Sequence, residues 1–156
     1  VDFTIKPTMN VPPTAQRVQM RTNPKILEKI RNQTIGNLKG SMNKSEPELT
    51  EKINNLNAEW DTERVLETHA AVLVIVSTIL GAIWNKLWYL VTVVVGVFLL
   101  QHALDGWCPP LPCIRKMGVR TAEEINHEKI VLKMMRGDFT QGSNDIDEML
   151  NVAQKQ

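Results

Sequence analysis

His69, His102, Cys108 and Cys113 are the side chains whose chemistry and spacing could make a site. Neutral imidazole nitrogens suit zinc, copper and iron, so His69 and His102 are candidates for holding a haem iron or metal. Cys108 and Cys113 lie just past His102, which allows a Cys2His2 site to be written down for a metal, with His102, Cys108 and Cys113 as its candidate ligands. The plainer alternative carries more weight: imidazoles near a membrane surface face headgroups or bond a carbonyl, and interfacial thiols simply pack. The proline-rich stretch between the cysteines has the spacing neither of structural zinc nor of a Cys-x-x-Cys redox pair. The expectation is therefore no cofactor. No phosphate loop, nucleophile elbow or paired-carboxylate site is present in the sequence, so no enzyme activity is expected.

What brings the histidines together is the middle of the chain. No Asp, Glu, Lys or Arg occurs over residues 68–85 or 87–104, two runs of 18 residues separated by Lys86. As helices they reach about 27 Å at 1.5 Å per residue, slightly less than the hydrocarbon thickness of about 30 Å. Trp84, Trp88 and Tyr89 surround the break, as aromatic side chains do at a membrane–water interface, and Lys86 can snorkel there. The predicted unit is a two-span hairpin over 68–104, with spans 68–84 and 87–104. Folding it between Asn85 and Lys86 places residues equally far from the turn at one depth, and His69 and His102 are such a pair. Two buried strands are the competing reading, since Val and Ile dominate both runs, but a chain of this size has too little apolar sequence elsewhere to cover both faces. A hairpin dipping into one leaflet is a further alternative, because the runs are short.

Ser77 and Gly81 are four residues apart in the first span, as are Thr92 and Gly96 in the second, a spacing that lets helix backbones approach closely. These four residues are candidates for hairpin packing or a lateral dimer. Trp107, Cys108, Pro109 and Pro110 are candidates for an interaction surface where the chain leaves the membrane. There the prolines at 109, 110 and 112 are expected to prevent a regular helix between the cysteines.

The flanks read as helical and amphipathic. Residues 1–22, with Pro7 and Pro12-Pro13, form an extended or disordered arm. Residues 23–67 form a helical hairpin, its first helix starting at Asn23-Pro24 and ending at Gly40, its second opening on a Ser45/Glu48 capping box. Leu49, Ile53, Leu56 and Trp60 make a stripe that should pack on the first helix or on another protomer. Residues 105–139 hold the Cys/Pro loop and a helix opened by Thr121/Glu124 and closed by Gly137, carrying Ile125, Val131, Leu132, Met134 and Met135. Residues 140–156 are a polar, mobile tail with a weak helical patch at Ile146, Met149 and Leu150.

The fold class is thus all-α, an integral membrane protein with a two-helix transmembrane hairpin and cytoplasmic amphipathic helices. A net charge of +1 argues against nucleic acid as a partner and leaves membrane lipid, a homo-oligomer or other membrane-complex subunits. Residues 1–40 carry 7 basic and 2 acidic side chains, so this arm suits anionic headgroups. Two cysteines are too few for a disulfide framework, and no signal-peptide pattern opens the chain, so an uncleaved chain in a reducing compartment is expected. Arg64, Arg115, Lys116 and Arg120 flank the hairpin's outer ends against Lys86 alone at its turn, which predicts a multi-pass protein with both termini cytoplasmic.

The stretch His102-Ala103-Leu104-Asp105-Gly106-Trp107-Cys108-Pro109-Pro110-Leu111-Pro112, followed by Gly118 to Ile125 and by Arg136-Gly137-Asp138-Phe139, resembles the YgaP-like inner-membrane domain family of bacteria. The resemblance runs from Trp60 to Phe139. It implies a two-span hairpin in the bacterial cytoplasmic (inner) membrane, with no agreed biochemical role for stand-alone domains. Some members carry a rhodanese-type sulfurtransferase, for which the hairpin is implicated in anchoring and dimer formation. This sequence has no such domain, and its cysteine loop lacks the Arg- and Gly-rich persulfide cradle, so sulfur transfer is not implied. His102 and Cys108 match the family pattern, whereas His69 and Cys113 are outside it. The combined expectation is a non-enzymatic membrane anchor or accessory subunit. The alternative is a redox, sulfur or metal-handling protein using Cys108, Cys113 and His102.

Overall fold

A computed structural model describes residues 12–139 and 146–154 of the chain. Eight helices and no strands are found among the described residues: α1 Arg17–Met20, α2 Pro24–Lys39, α3 Glu46–Ala58, α4 Thr62–Ile83, α5 Trp88–Asp105, α6 Leu111–Lys116, α7 Ala122–Arg136 and α8 Ile146–Gln154. The all-α expectation holds, and two helical stretches are long and apolar enough to cross a membrane, one ending at Ile83 and one spanning Trp88–Asp105.

These two, α4 and α5, pack on each other as the hairpin. Asp61 caps α4 by accepting the Arg64 N–H at 2.7 Å, so the helix starts one turn and a half before the uncharged run rather than at residue 68. Its 22 residues reach about 33 Å, enough to cross the hydrocarbon with some tilt. Along the seam the Ser77 and Thr92 hydroxyls hydrogen-bond each other at 2.7 Å. Outward, Val72, Ile75, Ile79, Val93, Val97 and Leu100 are all exposed. A continuous apolar surface of that kind is unusual on a soluble protein and suits a lipid environment.

The remaining helices form a base around two small cores. One joins Leu49, Ile53 and Leu56 of α3 to Ile125 and Leu132 of α7. The α3 stripe therefore packs on α7 rather than chiefly on α2, and Trp60 is not part of it: it lies beyond the end of α3, half exposed, under the Arg64 guanidinium at 4.9 Å. The other core joins Val18, Leu66, Cys108, Leu111 and Ile114. It corrects two expectations. Residues 17–20 are not an extended arm but a helical turn with Val18 buried; residues 1–11 lie outside the described set. The prolines also do not exclude a helix after Cys108. Pro112 sits in the first turn of α6, where its missing N–H costs nothing, and Cys113 lies within that helix.

Both predicted capping boxes form, Ser45 with Glu48 and Thr121 with Glu124. Helix α7 ends at Gly137 with φ 90°, the left-handed C-cap expected of it. Its buried side chains are Ile125, Glu128, Leu132 and Lys133, whereas Met134 and Met135 point outward. In the tail, α8 exposes Ile146, Met149 and Leu150, and residues 140–145 are outside the described set.

Candidate functional site

Arginines tie the base to the hairpin. Arg115, the largest fully buried side chain, donates from Nε to Thr22 Oγ1 at 3.1 Å, from Nη1 to the Val119 carbonyl at 2.8 Å, and as a fork to Glu124 at 2.7 and 2.8 Å. This fork holds the Glu124 carboxyl below the usual carboxylate range although burial alone would raise it. Arg120 pairs with Glu128 and donates to Glu59 Oε1 at 2.8 Å. Burial disfavours its charge, but the two carboxylates outweigh that and keep it firmly cationic. The Arg120 carbonyl accepts hydrogen bonds from both the backbone N–H and the hydroxyl of Thr62, at 2.8 and 2.9 Å. Since Thr62 is wholly buried and opens α4, the first span is bonded directly to the loop that starts α7. Arg136 is paired likewise with Asp138 and donates to Thr50 at 2.9 Å, closing α7 against α3.

At the other span, Gly106 takes φ 77° as the C-cap of α5, its N–H bonded to the His102 carbonyl at 2.9 Å. The α1 backbone rests against it, and Arg17 reaches across to Glu63 of α4 at 2.6 Å while Arg21 pairs with Asp105. Trp107 is half buried and packs against the second core.

The two histidines are not brought into one site. His102 is buried, 6 % exposed, in the field of Arg17, Glu63 and Glu67, and neither ring nitrogen has a hydrogen-bond partner among the described residues. His69 is exposed and donates from Nδ1 to the Val65 carbonyl at 2.7 Å. It is His69, not His102, that shares surroundings with the cysteines. His69, Cys108 and Cys113 line one groove of about 500 Å³ between α4, α5 and α6. Cys108 is buried there and Cys113 exposed, both are free, and burial pushes the Cys108 thiol above its usual value, away from the reactive thiolate. Among the described residues no three His, Cys, Asp or Glu side chains are placed to hold a metal ion. The donor set His102, Cys108 and Cys113 is not such a group: the groove that the two thiols line takes in His69 and not His102.

Of the small residues in the spans, Ser77 and Thr92 form the seam bond, and Gly81 lies under the Tyr89 ring, where a Cβ would come within 2.8 Å of it. Gly96 is exposed, with open space where its Cβ would be. Three of the four thus serve hairpin packing. Pro109 and Pro110 are exposed at the groove's edge. The buried arginines were missed by sequence reasoning. The only local signal was the position of Arg120 immediately before a capping box.

Residues 61–123, less than half of the chain, match the model of a family described as "Inner membrane protein YgaP-like, transmembrane domain". The match begins at the Asp61 cap of α4 and ends in the first turn of α7, so it takes in the hairpin, the Cys/Pro turn and α6. No curated protein and no solved structure matches the chain.

Proposed function

We propose that residues 61–123, which match the model of a YgaP-like transmembrane domain, make the chain a non-enzymatic membrane anchor or accessory subunit. Its hairpin spans the membrane twice, and its helical base, lying on the cytoplasmic side with both termini, associates with a second copy or with subunits of a larger membrane complex. The observation that carries this reading is the Thr62–Arg120 bonding, which makes span and base one mechanical unit. An anchor has to transmit position from lipid to partner, and a base hinged freely on its spans would not do so. The end of α7 and the residues after it give a surface suited to a partner: Met134, Met135 and, past the Gly137 cap, Phe139 are exposed, and thioether side chains adapt to apolar partners.

The charge distribution supports the orientation. Arg115 and Arg120 are buried in ion pairs in the folded state, so their bearing on topology is through retention of positive segments during insertion. The test is mild-detergent purification of the native protein at its native level, followed by mass analysis of the assembly. A defined stoichiometry that is lost in Met134→Glu/Met135→Glu while the fold is retained supports the reading. A monomer with no associated subunit under those conditions removes it.

A further inference from the structure

The groove that gathers His69 and the cysteines has a direction and a chemistry. Its walls are Ala70 and Leu73 of α4, Val94 and Phe98 of α5, Ile114 of α6 and Met117 at the end of that helix. The Ser77–Thr92 hydroxyl bond sets the register of the two helices, so Val94 lies nearly level with Ile75. On α4 the groove is lined from Val65 to Leu73, so it runs along the helix axis for about 12 Å at 1.5 Å per residue. That is the direction in which lipid chains lie. Leu73, Val94 and Met117 are exposed, so the groove opens onto the same apolar surface that α4 and α5 present to the bilayer. One turn in from its outer end is a single imidazole, that of His69. Because His69 Nδ1 bonds a carbonyl oxygen, Nδ1 carries the ring proton, and in the neutral ring Nε2 is a bare acceptor.

We propose that this groove holds one acyl chain of a phospholipid whose headgroup donates a hydrogen bond to His69 Nε2, as the primary ammonium of phosphatidylethanolamine can. A choline headgroup has no N–H and cannot make that bond. The volume of about 500 Å³ falls within the range of small-molecule sites, and the apolar lining with one polar group near the outer end matches an amphiphile. Helix α6 is what turns a two-helix seam into a three-sided channel, and the prolines that start it set it alongside the hairpin. The proposal rests on the hairpin lying in the bilayer.

The experiment uses the full chain in mild detergent, first shown to resist carbonate extraction from membranes, with native mass spectrometry after addition of phosphatidylethanolamine or phosphatidylcholine of identical chains. The expected result is one lipid per chain, with phosphatidylethanolamine favoured about fivefold or more, one hydrogen bond's worth. His69→Leu is expected to abolish the headgroup preference and keep chain binding. Cys113→Phe and Val94→Phe, each adding bulk at an exposed groove position, are expected to weaken the single adduct about tenfold or more, while Ile79→Phe outside the groove leaves it unchanged. The proposal is overturned if both groove variants bind as the parent does, if Ile79→Phe weakens the adduct as much as they do, if the parent shows no one-lipid adduct, or if carbonate releases the chain. Equal binding of the two lipids would overturn the role of His69.

Discussion

The backbone of Arg17 occupies the space that a side chain on Gly106 would need. A Cβ at Gly106 would be 2.6 Å from the Arg17 carbonyl carbon and oxygen, and the glycine itself sits at φ 77°. Gly106 thus performs two functions at the end of α5: it terminates the span in the left-handed region and admits α1. Gly106→Ala should lower stability by about 1–3 kcal/mol, the sum of left-handed strain and displacement of α1. Limited proteolysis within residues 12–22 should accelerate in the same variant.

The Arg115–Glu124 pair gives a second prediction. Removing one partner leaves the other buried and uncompensated, so Arg115→Met should cost about 3–5 kcal/mol. Adding Glu124→Gln should recover much of that loss, because the buried charge goes with it. Thermal unfolding of both single variants and the double variant measures this coupling.

Acid should act through the same pair. The Glu124 carboxyl is held below its ordinary value in the folded protein, so the fold binds fewer protons there than the unfolded chain does. Its contribution is complete above the unfolded carboxylate value of about 4.3 and is lost as pH falls through the lower folded value. The parent should lose stability in that acid window, and Glu124→Gln should flatten the profile there.

His102 separates a packing role from ligation. A buried imidazole whose nitrogens have no partner is a cost to the fold, so His102→Leu should be neutral or stabilising by about 1 kcal/mol. A metal or haem ligand would behave oppositely, with loss of a visible spectrum or of bound metal on substitution.

The two span glycines should differ. Gly81→Val forces the Tyr89 ring away from the hairpin end and should destabilise it, whereas Gly96→Ala enters open space and should be tolerated. Unfolding in detergent of the two variants, compared with the parent, reads this directly.

Much of this architecture is legible in the order of the amino acids. The uncharged runs, the Ser45/Glu48 and Thr121/Glu124 boxes and the Asn23-Pro24 and Gly137 ends are local signals, each satisfied by groups within a few residues, and each appears where expected. What was not legible is long-range. Arg120 and Glu59 are 61 residues apart, and Arg115 and Thr22 are 93, so nothing near either arginine marks it as buried. Val18 and Met20 stand in a largely polar stretch, and of the two only Val18, through its partners Leu66 and Cys108, is core. For the histidines, equal depth says nothing of helical phase. Phase sends His69 to the groove and leaves His102 buried away from its lining, and sequence spacing along one helix cannot relate it to its neighbour.

The central claim is that the hairpin crosses the bilayer and presents the base on one side. Sealed vesicles of known orientation carrying Asn85→Cys or Met42→Cys, in a background with Cys108→Ala and Cys113→Ser, test it with a membrane-impermeant maleimide. The predicted result is labelling at position 85 from the outer face, and labelling at position 42 only after the membrane is opened. Labelling of both positions from the same face would contradict it and place the hairpin within one leaflet.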